Sequence, residues 1–332
     1  MIIKTYQVAR HLFRLELPVD KPTGEKILKA YAPFETQTEE PPLFTLHLHL
    51  CQELPVPPQE QLLKHFDQEL PFLWVFQSNI GYTFGFSLTP GKPEALVCDT
   101  VQPTEKTLYL CETSTPEQLT FGLHNALMLT FTRQTAPLDT LLIHSSVICK
   151  DQQGYAFLGK SGTGKSTHSR LWLQYIPGSE LLNDDNPVIR ICHGTPVIFG
   201  SPWSGKTPCY KNKEVPLKAI VRLSQAPVNH ITSLTGSKAY ASLLPSCSSV
   251  KWDSSITDCI HHTLEQVVTH CKFYHLQCRP DQEAAVLCAQ TLQTRWPKKA
   301  CPMRITGQAY FSSSFMQQGM ASFSHFSTTH SG

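Results

Sequence analysis

Tyr155-Ala156-Phe157-Leu158-Gly159-Lys160-Ser161-Gly162-Thr163-Gly164-Lys165-Ser166-Thr167 decides the reading of this chain. Four apolar residues of strand character run straight into Gly-x-x-x-x-Gly-Lys-Ser. A helical pattern then extends from about Lys165 to Tyr175 and stops at Pro177-Gly178. The glycines in such a strand–loop–helix unit have a physical purpose. Without Cβ atoms to crowd them, successive main-chain N–H groups converge on one point, and the positive end of the helix dipole adds to their pull. A loop of this kind takes phosphate groups. In the same pattern Lys165 reaches the β- and γ-phosphates and the Ser166 hydroxyl is placed for a metal. Gly159, Lys160, Ser161, Gly162, Thr163, Gly164, Lys165, Ser166 and Thr167 are the expected nucleotide-binding residues, with ATP and Mg²⁺ as the expected ligands.

Working outward, an apolar strand from Glu180 to Asn183 leads into Asp184-Asp185. Acids there occupy the carboxyl end of a strand, the same sheet edge as the loop and the edge at which open α/β sheets bind ligands. One carboxylate can hold Mg²⁺ and the other can accept a proton from an attacking hydroxyl. On the other side, Leu141 to Ile148 reads as a strand beside the loop strand, ended or interrupted by His144. Further on, Val188 to Cys192 and Thr195 to Phe199 flank His193-Gly194 as a hairpin. Leu217 to Leu223 and Cys271 to Leu276 are strands. Helices are expected around Ile260 to His270 and from Arg279 or Pro280 to Leu292.

Residues 1–135 have a different texture. Short β-like runs at Leu12 to Leu17, Leu43 to Cys51, Phe72 to Phe76, Tyr82 to Leu88 and Thr107 to Cys111 alternate with polar or Pro-rich breaks. In Thr45-Leu46-His47-Leu48-His49-Leu50 the period of two puts the leucines on one face and the histidines on the other. That histidine face is read as solvated rather than metal-binding. Thr115-Pro116-Glu117-Gln118 has the form of a capping box opening a helix. Leu119, Leu123, Ala126, Leu127 and Thr130 form its apolar stripe, with His124 and Arg133 expected at the surface. Residues 297–332 are rich in Ser, Thr and His without periodicity and read as a loosely structured tail.

The totals exclude several classes. Over 332 residues, 28 Lys and Arg against 26 Asp and Glu give a net charge of +2, which supplies no drive onto nucleic acid or an anionic membrane. No apolar run approaches the ~20 residues of a membrane span, and the first residues lack the apolar core of a signal peptide. The 12 cysteines are scattered with no Cys-x-x-Cys pair, so reduced thiols and a cytoplasmic location are expected.

Taken together, Ile143-His144-Ser145-Ser146, then Gly159 to Thr167, then Leu182-Asn183-Asp184-Asp185 resemble the kinase domain of HPr serine kinase/phosphorylase. They are also similar to the nucleotide site of ATP-dependent phosphoenolpyruvate carboxykinase. Gly200-Ser201-Pro202-Trp203-Ser204-Gly205-Lys206 resembles a loop of HPr-kinase-like proteins, and Lys206 is a candidate contact to phosphate or acceptor. The resemblance, which covers about residues 138–292, implies an α/β fold with a C-terminal P-loop kinase domain, taken as 136–296; residues 1–135 are outside it and read from their own runs as a smaller β-rich α+β domain. It also implies an ATP- and Mg²⁺-dependent phosphotransferase acting on a hydroxyl of a protein, peptide or small molecule such as serine. Lys165 and Asp184 would be catalytic, with His144 nearby, and Ser166 and Asp185 would lie on the metal side, the order of the two acids staying open. A nucleotide-binding regulatory protein with little turnover is the alternative, and homo-oligomerisation is left open.

Overall fold

The computed structural model describes residues 1–67, 71–79, 81–100, 104–205, 207–248 and 252–293. The expected tail at 297–332 and Lys206 lie outside them. Among the described residues the chain builds two large sheets separated by one long helix.

The first sheet holds β1 (Ile2–Val8), β2 (His11–Leu17), β3 (Glu35–Thr36), β4 (Phe44–Cys51), β5 (Leu62–Phe66), β6 (Phe72–Ser78), β7 (Gly81–Ser87), β8 (Ala95–Thr100) and β9 (Glu105–Cys111). Their spatial order is β3-β1-β2-β4-β9-β8-β7-β6-β5. The strands β2, β4 and β9 run parallel, and the other pairs are antiparallel. Alternation puts Leu46 and Leu48 in the core, as the period of two requires. His47 on the other face lies between Glu16 and Glu105, at 3.1 and 2.5 Å. The hairpin joining β1 to β2 was not legible in the sequence. Its two-residue turn, Ala9-Arg10, takes positive φ of 48° and 62° without glycine or asparagine to announce it.

Between β2 and β3 sits α1 (Lys21–Ile27), and α2 (Pro116–Thr135) follows β9. The capping box forms as expected: Thr115 Oγ1 accepts from the Gln118 amide and Gln118 Oε1 accepts from the Thr115 amide. The expectation of a wet outer face is corrected. From Phe121 to Thr132 every residue of α2 is buried, because the helix is wedged between the first sheet and the second half of the chain. His124 is 2% exposed, with Nδ1 3.0 Å from the Tyr31 hydroxyl. Arg133 bridges Asp99 on β8 and Asp253, at 2.6 and 3.1 Å, with its guanidinium over the rings of Tyr82 and Phe84. A stripe pattern assumes one solvated side, and this helix has none along that stretch.

The second half contains β10 (Thr140–Leu142), β11 (Ser145–Lys150), β12 (Gln153–Leu158), α3 (Lys165–Tyr175), β13 (Ser179–Asp185), β14 (Val188–Cys192), β15 (Thr195–Phe199), β16 (Glu214–Gln225), β17 (His230–Leu234), α4 (Ser237–Leu243), α5 (Ser254–His270), β18 (Lys272–Cys278) and α6 (Gln282–Gln293). Its sheet runs β10-β14-β15-β16-β12-β11-β13, with β18 also paired to β16 and β17 to β18. Pairing of β12 with β16 and of β16 with β18 is parallel, whereas β11 is antiparallel to both β12 and β13. One face carries α4 and α5, through Leu243, Ile260 and Leu264. The other carries α3 and α6, through Trp172, Cys288 and Leu292.

Two expectations change here. The run Leu141 to Ile148 is two strands, broken where Ile143 bridges Cys247. The aspartate pair belongs to β13 itself rather than following it.

Candidate functional site

Strand directions bring the site together. The chain climbs β12, enters the glycine loop and returns down α3. Since β13 is parallel in sense to β12 and β11 runs opposite, the end of β13 and the start of β11 meet the loop at one edge. Asp184, Asp185, His144 and Lys165, expected to act together, are all there.

Loop geometry follows from its glycines. Gly162 and Gly164 take left-handed φ of 78° and 107°, and a Cβ on Gly162 would meet no atom within 4 Å. The Thr163 amide donates to Lys160 O at 3.1 Å, and the His168 amide to Gly164 O at 2.8 Å, the first bond of α3. Thr163 packs its side chain against Gly159, where a Cβ would come within 3.1 Å. Lys160 and Ser161 are exposed, Ser166 is half-buried, and Thr167 Oγ1 accepts from Arg170.

Lys165 folds back over the edge. Its ammonium donates to Gly159 O at 3.0 Å and contacts His144 Nε2 at 2.8 Å. On the far side of the ring, His144 Nδ1 lies 2.9 Å from Asp185 Oδ1. An ammonium can only donate, so His144 Nε2 is the acceptor in its contact with Lys165. Burial pulls the Lys165 pKa down, while the charges of Asp185 and Asp184 pull it back up. The second oxygen of Asp185 accepts from Asn186 Nδ2 at 2.8 Å.

A β-bulge sorts the two acids. Val147 pairs with Asn183 but Ile148 pairs with Leu181, so Leu182 is an extra residue in β13. Beyond it, Asp184 pairs with Ser146 and Asp185 with Ser145. Ser146 Oγ lies 2.6 Å from Ser169 Oγ on α3. Asp184 therefore shares the α3 face of the sheet with Ser146, and Asp185 points to the opposite face with His144. The Asp184 carboxylate has no hydrogen-bond partner among the described residues and is 7% exposed.

The loop after β15 covers the edge of β13. Ser204 bridges Asp185, the Gly205 amide donates to Asp184 O at 3.1 Å, and the Asn186 amide donates to Trp203 O at 3.1 Å. Trp203 is fully buried against Phe131 of α2 and pins the loop to the first half of the chain. Sequence reasoning missed Asn186, for which the polar quartet Asn183-Asp184-Asp185-Asn186 after an apolar run was a usable signal.

Among the described residues no group of three or more His, Cys, Asp and Glu side chains forms a metal cluster, the histidines of β4 included, and no helix is long and apolar enough to cross a membrane. No family model matches the chain, and no curated protein matches it. Among solved structures, the chain is similar to the Hpr(Ser) kinase/phosphatase from Coxiella burnetii, at 10% identity and a TM-score of 0.28. The match covers 46% of this chain and 92% of that one.

Proposed function

We propose that this chain transfers the terminal phosphoryl group of a nucleoside triphosphate, ATP by its loop pattern, to the hydroxyl of a protein, peptide or small molecule such as serine. The observation that carries this reading is the continuous contact Asp185–His144–Lys165 at 2.9 and 2.8 Å, set where the glycine loop leaves β12. A loop lysine tied through an imidazole to a carboxylate is costly to bury unless the charges have work to do.

Open space beside the left-handed Gly162 fits a phosphate chain, and the amides of residues 159–167 would hold it. Ser166 and the Asp184 carboxylate, which has no hydrogen-bond partner among the described residues, would hold Mg²⁺. A donor set this sparse suits a cation that keeps phosphate and water ligands. When bound, Mg²⁺ would offset charge on the β- and γ-oxygens. Lys165 moves from Gly159 O to the phosphates, a short swing for a long side chain. Asp185 accepts the proton of the incoming hydroxyl, oriented for it by the bond from Asn186 Nδ2, with the His144 ring alongside. This reading exchanges the two acids relative to the sequence-based order: Asp184 holds metal and Asp185 is the base.

Calorimetry with MgATP, followed by transfer from γ-labelled ATP into a lysate, tests the proposal. Tight MgATP binding and labelled product are expected, both lost in Lys165→Met. A chain that holds neither MgATP nor pyrophosphate ends it.

A further inference from the structure

A second basic side chain stands beside the end of β12. Parallel pairing with β16 makes Leu158 and Arg222 partners, while on the other flank Ser146 partners Phe157. His144 and Arg222 therefore bracket the end of the loop strand from its two neighbours, roughly 10 Å apart at two strand spacings. They also share a face. Arg222 alternates with Ile220, which packs in the core under α4 and α5, so it lies on the Asp185 side of the sheet and not the α3 side. One turn of chain supports both residues: Ser242 O accepts from Arg222 Nη1 at 3.4 Å, and Ser246 O accepts from the His144 amide at 2.6 Å.

Arg222 is half-buried, and among the described residues that long contact to Ser242 O is its one hydrogen bond and no carboxylate pairs with it. A guanidinium carries five donors and is normally matched by an anion when withdrawn from water. Its strand partner His275 feels the charge: burial, and then Arg222, depress the imidazole pKa. A cation with no counter-charge among the described residues, at the ligand edge of the sheet and level with the loop, is complementary to an anion that arrives with the ligand.

We propose that Arg222 binds the anionic oxygens of the terminal phosphoryl group of the nucleotide, from the face opposite α3, while Lys165 reaches the same group from the α3 side. This rests on the nucleotide reading above and adds to it a second cation, supplied by this chain rather than by a partner. Such a contact is made to a triphosphate and not to a diphosphate.

Calorimetry on the full chain, comparing MgATP with MgADP, tests the assignment. Arg222→Gln should lower MgATP affinity about tenfold or more, the size of one lost charge-assisted hydrogen bond, and change MgADP affinity less than ~3-fold. Arg222→Lys, which keeps the charge and loses the fork, should fall between. Unchanged MgATP affinity in Arg222→Gln overturns the inference. An equal loss for both nucleotides does so too, since it reports a disturbed fold rather than a terminal-phosphoryl contact. If the wild-type chain binds neither nucleotide, the nucleotide reading itself has failed, which is a different result.

Discussion

Asp184 and Asp185 are adjacent in sequence and identical in chemistry, and the fold gives them different surroundings. Asp185 accepts a hydrogen bond from Asn186 Nδ2 at one oxygen and has His144 Nδ1 at 2.9 Å from the other. Asp184, on the α3 face, has no such partner among the described residues. A base must be oriented toward one proton, whereas a metal ligand must keep its lone pairs open. Asp185→Asn should therefore keep MgATP binding and lose transfer by roughly 10²–10⁴-fold. Asp184→Asn should instead raise the Mg²⁺ concentration needed for half-maximal rate. Initial rates over a magnesium series separate the two. The assignment falls if Asp185→Asn shifts the magnesium curve and Asp184→Asn does not.

At the scale of elements, the loop Gly200–Gly205 decides whether the edge strand β13 holds those acids in place. A Cβ at Gly205 would sit 2.8 Å from Asp184 O and 3.3 Å from Asp185 Cβ, and backbone cannot yield to it cheaply. Gly205→Ala should push the loop off β13 and cut transfer at least ~10-fold, as misplacing a reacting group by about 1 Å does, with Tm falling only a few degrees. Full activity in that variant would show that the loop does not position the pair.

Much at this scale was legible. Residues Lys165 to Tyr175 and the hairpin at His193-Gly194 followed from periodicity and turn chemistry, and the box at Thr115 from capping. What stayed hidden depends on pairing. The bulge at Leu182 arises only when β11 and β13 are laid side by side, so the facing of Asp184 and Asp185 could not be deduced from their spacing. Nor could β1, whose turn lacks the usual residues, or the proximity of Arg222, which lies more than fifty residues beyond the loop.

Across the whole molecule, the burial of α2 between the two halves places polar groups where water cannot reach them. Arg133 is matched there by Asp99 and Asp253, but the histidines are kept neutral instead. Burial drives His124 to about 3, His11 to about 3, with Arg190 adding to the shift, and His168 on α3 to about 4. Each folded-state pKa lies below the unfolded value near 6.5, so below that pH the unfolded chain binds protons that the folded chain refuses. Stability is fully present above ~6.5 and is lost as pH falls toward the folded values. At pH 5 each site costs about 2 kcal/mol, and three together are comparable to a typical domain's net stability of ~5–15 kcal/mol. Most carboxylates titrate lower, so the window from pH 6.5 to 5 belongs chiefly to these histidines. Thermal unfolding should show Tm dropping by about 10 °C between pH 7 and 5. His124→Gln, which can still bond the Tyr31 hydroxyl, should be less stable at pH 7 yet lose about a third less on acidification. A Tm that is flat across that range, or an unchanged slope in His124→Gln, would mean these buried histidines are not the groups that set the acid limit.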